Sequence, residues 1–290
     1  MTQEDLAHDR ISPTAKLVAY WRQYSDLPFS GDIAKVFKVE EVMNSMFKGA
    51  MPFNELLVAM VEIRYKSIQN FILKSGIKQV LEFASGVSLR GLAMTEDPTI
   101  TYVETDLEAL THEKLKLLRK IMEKNSIPER KNLFFHSVNI LKEEEIELTL
   151  QHFDPDLPLL IVHEGLFQYL SIEEKAIASR NIHSILSRFK GLWITPDFET
   201  KETSWDHFFT KEIFQPFIDA ITRATGRNVH ANNFADDAEL IRFFNTLGFD
   251  VEWTSQLTKD FQVSAYKNKS MSQEVLKILS SLRLWIMHSK

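Results

Sequence analysis

Val80-Leu81-Glu82-Phe83-Ala84-Ser85-Gly86-Val87-Ser88 reads as a buried strand that runs into a turn of small residues and then into a helix. In open α/β sheets that junction, at the carboxyl end of a strand, is where ligands bind. Small residues matter there because the backbone must turn tightly and let a nucleoside or phosphate approach its N–H groups without a Cβ in the way. As a phosphate fingerprint the turn is incomplete. Gly86 has Ala84 and Ser88 at the flanking alternate positions, so G-x-G-x-x-G is absent and a dinucleotide reading loses most of its support. Taken alone, the stretch also reads as the structural turn of any α/β protein.

Working outward, β-rich runs at 78–83, 100–104, 133–138, 159–163 and 192–195 alternate with helical periods. Alternation of this kind predicts a parallel sheet covered by helices. Helices fit 107–124 and 171–189, the second opening with Ser171 and Glu174 at capping-box spacing. The rhythm then changes. Runs 249–254 and 261–267 are separated by only six residues, too few for a crossover helix, so they predict an antiparallel hairpin. The expected fold is an α/β, Rossmann-like sheet of seven mostly parallel strands with a terminal antiparallel hairpin.

No repeat and no Ser/Gly linker interrupts the chain, so 1–290 is expected to be a single domain. Residues 1–76 look helical and would cover the core at 77–267. An aromatic-rich insertion at 199–235, with Trp205, Phe208, Phe209, Phe214 and Phe217, is a candidate lid. Residues 271–290 show Val275, Leu279, Leu282 and Ile286 at helical spacing, a stripe that needs a partner surface. Packing on the domain would supply one; a homodimer contact through this C-terminal helix is the sharper alternative.

Composition narrows the function. Of 290 residues, 44% are hydrophobic and 26% charged, which excludes wholesale disorder and low-complexity architectures. The 34 basic and 40 acidic residues leave a net charge of -6. There is therefore no broad cationic field for nucleic acid or anionic lipid, and a small-molecule acceptor or a protein partner is favoured. Zero cysteines exclude disulfides, thiolate metal sites and a cysteine nucleophile, and they fit a reducing compartment. No apolar stretch reaches the roughly 18 residues of a membrane span. Residues 1–10 carry charges where a signal peptide needs an apolar run, so the expected address is the cytoplasm.

Three further positions stand out. Glu104-Thr105-Asp106 ends the second strand, where a carboxylate can accept hydrogen bonds from ribose hydroxyls. Either acid could do so, and Asp106 would also suit the N-terminus of the next helix. Arg64 falls on the apolar stripe Leu57, Val61, Ile68, Phe71. A guanidinium on such a face requires an anion, either a ligand carboxylate or an internal acid. Glu164 lies at the tip of the fourth strand, beside a His163 expected to be buried in the sheet. Phe167 occupies the place where a zinc helix motif would need its second histidine, and the other histidines lack ligand spacing. No metal is expected.

Together, Ile11-Ser12-Pro13-Thr14-Ala15-Lys16, residues 82–92, Val103-Glu104-Thr105-Asp106-Leu107 and Glu164-Gly165-Leu166-Phe167-Gln168-Tyr169-Leu170 resemble the leucine carboxyl methyltransferase family, including its bacterial polyketide O-methyltransferase branch. The order and spacing match along nearly the whole chain. The resemblance implies a class I fold that binds S-adenosylmethionine. Lys16 and Arg64 would hold the methionine carboxylate, and Gly86, behind Glu82, would line the turn beneath the cofactor. Asp106 would bind the ribose, Asn139 and Ile140 would flank the adenine, and Glu164 would face the methionine amino group. Asn139 stands where the family usually has Asp, and its amide oxygen can still accept a bond from the adenine amino group.

The function so implied is O-methylation of a carboxylate or hydroxyl on a small molecule. A carboxylate acceptor needs no general base, whereas a hydroxyl does, and no compelling catalytic residue is evident. Arg22 and Arg90 could clamp an acceptor carboxylate, although a structural ion pair suits each better. Two rivals remain. Gly86-Val87-Ser88 begins like a hydrolase nucleophile elbow, but Arg90 stands where that turn needs glycine. A non-catalytic sensor or scaffold could use the same cofactor pocket.

Overall fold

Seven strands pair into one sheet: β1 (Gln79–Phe83), β2 (Thr101–Asp106), β3 (Leu133–Ser137), β4 (Leu159–His163), β5 (Gly191–Thr195), β6 (Phe249–Ser255) and β7 (Arg283–Ser289), in the order β3-β2-β1-β4-β5-β7-β6. The computed structural model describes residues 12–47, 54–198, 200–202, 219, 221–223, 225–227 and 232–290. The first five strands run parallel, and β7 lies antiparallel between β5 and β6. The direction of winding reverses between β1 and β4. An open α/β sheet leaves a crevice outside the strand tips at such a switch point.

Helices α1 (Ser12–Arg22), α2 (Ser30–Phe37), α3 (Val39–Phe47), α4 (Glu55–Ser75), α5 (Arg90–Met94), α6 (Glu108–Asn125), α7 (Glu143–Leu150), α8 (Ile172–Phe189), α9 (Asp237–Thr246) and α10 (Gln273–Ser281) surround the sheet. Every residue of β1 and β4 is buried, as a parallel strand covered on both faces requires. Alternation sorts them. Leu81, Phe83, Ile161 and Trp193 pack with α8 residues such as Ile182 on one face, and Val80, Leu160, Val162 and Ile194 pack with Ile68 and Leu117 on the other. Local signals set the helix starts. Asn54 accepts from Leu56 and Leu57 N–H at 3.0 and 3.2 Å to cap α4, and Ser171 with Glu174 forms the expected capping box on α8.

The antiparallel pair that ends the sheet is present, but its second strand is not 261–267. Those residues dock on α4 instead: Glu62 accepts from Ser264 N–H and Oγ, each at 2.7 Å, and Lys66 donates to the Gln262 carbonyl at 2.7 Å. Side-chain bonds thus replace a ladder, and Val263 packs into the α4 cluster. The true partner of β6 is β7, so 271–290 is a helix followed by a strand rather than one helix. The stripe read at helical spacing crosses that boundary, because a short apolar run such as Leu284-Trp285-Ile286-Met287 fits either period. Its members Leu279 and Ile286 are buried within the chain, so part of the stripe finds its partner surface internally. Trp205, Phe208, Phe209, Phe214 and Phe217 of the expected lid lie outside the described residues.

Candidate functional site

The turn after β1 uses left-handed backbone twice, at Ala84 (φ 49°) and Gly86 (φ 57°). Gly86 meets that demand freely; a Cβ there would also lie 3.5 Å from the Ala15 side chain. Asp106 ties the tips of β1 and β2 together. Its Oδ2 accepts from Gly86 N–H at 2.7 Å and its Oδ1 from Leu107 N–H at 2.8 Å. It makes no side-chain cap on α6, whose N-cap is Leu107. Burial raises the Asp106 pKa against these hydrogen bonds.

Of the two acids at this tip, only Asp106 lines the cavity. Glu104 turns beneath the turn, where Lys114 pairs with it at 2.5 Å, Gly91 N–H donates to it at 2.7 Å, and Lys114 also reaches Ser85 Oγ at 2.8 Å. Asn139 and Ile140 follow β3. The Asn139 side-chain oxygen accepts from Leu141 N–H at 3.0 Å, and the Ile140 carbonyl is held by Asn181 at 2.8 Å. Leu107, Val138 and Ile140 give this end an apolar wall.

The opposite end is charged. Glu164 projects from the tip of β4 and gathers three guanidiniums: Arg22, Arg90 at 2.6 Å and Arg64 at 3.6 Å. Burial opposes ionisation of Glu164, but Arg22, Arg90 and Arg64 outweigh it and hold its pKa below the usual carboxylate range. Arg90 is fully buried, bridges Glu164 to Glu82, and lies 4.5 Å from the centre of the Tyr65 ring. Glu82 also accepts from the Tyr102 hydroxyl at 2.6 Å. Arg22 and Arg90 are therefore in structural pairs.

Asp197, just past β5, was not singled out by the sequence. Its Oδ1 accepts from Gly165 N–H at 2.6 Å and lies 3.5 Å from Arg64, and its Oδ2 accepts from Leu166 and Phe167 N–H at 2.7 and 3.1 Å. His163 is buried, as expected, with Nδ1 2.9 Å from Asp197 Oδ2. Burial alone would raise the Asp197 pKa; the His163 hydrogen bond and charge, Arg64 and the Gly165 N–H reverse that and hold it at about 2.

Between these ends lies a cavity of about 1500 Å³, open mouth included. It brings together Arg64, Glu82, Gly86, Asp106, Asn139, Ile140 and Glu164. Lys16 is not among its lining residues: its Nζ pairs with Glu113 at 3.0 Å and lies 5.2 Å from the Phe37 ring centre. Arg22 and Tyr65 are in the lining. The hydrolase arrangement is not assembled, since no histidine is among the described residues lining the cavity beside Ser88.

A family model described as leucine carboxyl methyltransferase matches residues 27–182, more than half of the chain. The chain belongs to this family. The match spans β1 to β4 and all the cavity residues just named except Arg22, which precedes it. No curated protein matches the chain. Among solved structures, a DUF574 family protein from Streptomyces avermitilis is similar at a TM-score of 0.57 and 12% identity, over 96% of this chain and 97% of that one. Magnesium protoporphyrin IX methyltransferase from Synechocystis, with bound SAH, has a TM-score of 0.47 and 12% identity, over 88% and 100%. An O-methyltransferase family protein from Burkholderia thailandensis gives 0.48 and 11%, over 90% and 62%. At 12% identity, the likeness to the Streptomyces protein is one of fold.

The sheet order and the family together make this a class I methyltransferase fold, with S-adenosylmethionine as the supported methyl donor. The cavity suits that molecule: an acceptor carboxylate at Asp106, an apolar wall nearby, and opposite charges at Arg64 and Glu164 for a zwitterionic tail. Among the described residues no helix is long and apolar enough to cross a membrane, and no three His or acidic side chains cluster as a metal site.

Proposed function

We propose that the protein is a cytoplasmic O-methyltransferase that transfers the methyl group of S-adenosylmethionine to a small-molecule carboxylate or hydroxyl. The observation that carries the reading is the single cavity with Asp106 at one end and the Arg64–Glu164 pair at the other. When bound, the cofactor supplies an electrophilic methyl group on a sulfonium. Asp106 would accept the ribose hydroxyls, Leu107 and Ile140 would cover the adenine with Asn139 at its edge, and Arg64 and Glu164 would take the carboxylate and ammonium of the tail. Glu82 would act through Arg90, and Lys16 would join on leaving Glu113.

The chain's contribution to rate is then alignment, which can supply roughly 7–11 kcal/mol in favourable cases. A carboxylate acceptor is the better fit. Tyr65 and Tyr169 line the cavity, and burial raises the pKa of both, away from the range of a general base. Neither histidine nor lysine is among the described lining residues. An acceptor that is already ionised needs none, and transfer to it neutralises opposite charges, which a dry cavity favours.

Calorimetry with S-adenosylmethionine, S-adenosylhomocysteine and NAD tests the cofactor, and transfer of labelled methyl to a panel of carboxylic acids and phenols tests the reaction. Binding of the first two with base-stable-ether rather than ester products would move the acceptor to a hydroxyl; binding without transfer to any acceptor would favour a sensor. A response to NAD alone would overturn the reading.

A further inference from the structure

Asp197 is not among the residues that line the cavity, yet both charged groups of the tail end are tied to it. One carboxylate, its side chain 1% exposed, accepts from three successive backbone N–H groups, those of Gly165, Leu166 and Phe167. These follow Glu164 directly, so the grip fixes the backbone from which Glu164 projects. The same carboxylate lies 3.5 Å from the Arg64 guanidinium. His163 secures its other side. The ring stacks on Phe167 with centroids 4.5 Å apart and planes 7° from parallel, and Nδ1 meets both Asp197 Oδ2 and Thr195 Oγ1. Thr195 Oγ1 in turn accepts from Asp197 N–H at 3.1 Å. His163 Nε2 is buried without a hydrogen bond, so the ring's polar work is done by Nδ1 alone.

We infer that Asp197, braced by His163, is a positioning residue for the amino-acid tail of the methyl donor, setting the separation of Glu164 and Arg64 that a zwitterion must match. The inference rests on the proposal that Arg64 and Glu164 take that tail. It separates two kinds of ligand. A molecule with the tail depends on Asp197, whereas one that stops at the thioether does not, because the turn end is built from Gly86, Asp106 and Ile140 without it.

Calorimetry with S-adenosylhomocysteine and 5′-methylthioadenosine reads the difference. Asp197→Asn should weaken S-adenosylhomocysteine by about tenfold or more, the scale of one charged hydrogen bond, and methylthioadenosine by less than about twofold. His163→Leu should behave likewise. His163→Asn, whose amide can place an N–H where Nδ1 stands, should restore tail binding to near the wild-type value. Equal losses for both ligands, or no loss for S-adenosylhomocysteine, would overturn the inference. If Asp197→Asn does not fold, the contrast between His163→Leu and His163→Asn decides alone. A wild-type protein that binds both ligands equally would instead sink the tail assignment itself, and this inference with it.

Discussion

At the turn end of the cavity, Gly86, Asp106 and Leu107 come from the tips of two neighbouring strands, and backbone N–H groups do much of the work. At the charged end, Arg22, Arg64, Glu164 and Asp197 arrive from α1, α4, the tip of β4 and the segment after β5, and side-chain ion pairs between these distant elements are added to the backbone N–H groups that hold Asp197. The first design tolerates change in distant parts of the chain. The second balances guanidiniums against carboxylates at low exposure, so losing one member strands another in a poorly solvated place.

Arg90 should show that fragility most strongly. It is fully buried between Glu82 and Glu164, and Arg90→Met would leave Glu82 beside Tyr102 without a cation. A loss of about 3–5 kcal/mol is expected from urea unfolding, with part of it recovered when Glu82→Gln is added. A loss below about 1 kcal/mol would place Arg90 in the class of replaceable surface pairs and break the contrast between the two ends.

Asp106 probes the other end. Asparagine there keeps one acceptor but turns an N–H₂ toward a backbone donor, either Gly86 or Leu107. Both S-adenosylhomocysteine and methylthioadenosine should bind more weakly by about 1.5–3 kcal/mol, the value of hydrogen bonds to a charged group. The equality of the two losses is the point, since Asp197→Asn is expected to separate them. A selective loss for S-adenosylhomocysteine would show that the ends are coupled.

The same division explains what could be read from sequence. β1 to β5, the turn at Gly86 and a carboxylate at the tip of β2 were legible because their signals are local: alternating runs, small residues and a strand-tip acid at a familiar separation, with Glu104 and Asp106 left as alternatives by spacing alone. Arg64 was legible only as a charge on an apolar stripe and Glu164 only as an acid at a strand tip; that the two would meet, and that Asp197 would join them, was not legible, because sequence spacing does not encode which distant acid a helix faces. Asp197 carries one weak signal, an acid just after a buried strand, shared with many loop residues. β7 was missed for a different reason. Its apolar run has no period of its own, and the docked segment 261–267 alternates like a strand although its hydrogen bonds go to α4 side chains and to its own tight turn at Ser264–Tyr266.

Acid should expose the charged end through Asp197. With a folded pKa of about 2 against an ordinary value of 3.8, ionised Asp197 stabilises the native state. That contribution is complete above the unfolded pKa and is lost as pH falls through the folded one. It amounts to about 2 kcal/mol by linkage. The stability gap between wild type and Asp197→Asn should therefore be constant from neutral pH to about 4 and narrow below that. A gap that persists unchanged at pH 2.5 or so would mean that the amide fails by shape rather than by charge.

The smallest effect is expected at the turn itself. Ala84 holds φ at 49°, a left-handed conformation that costs an L-residue roughly 1–2 kcal/mol. Glycine at 84 removes that strain but adds freedom to the unfolded chain worth about 0.4–1 kcal/mol. The two nearly offset, so Ala84→Gly should stabilise the protein by about 0.5 kcal/mol. Ligand binding should separate the contributions. A turn held in place by Asp106 and by the Lys114–Ser85 contact stays ordered without its own steric restriction, and both ligands then bind as to wild type. If instead affinity for both falls while stability rises, the alanine is retained to stiffen the turn, and backbone restriction joins Asp106 as a determinant of that end.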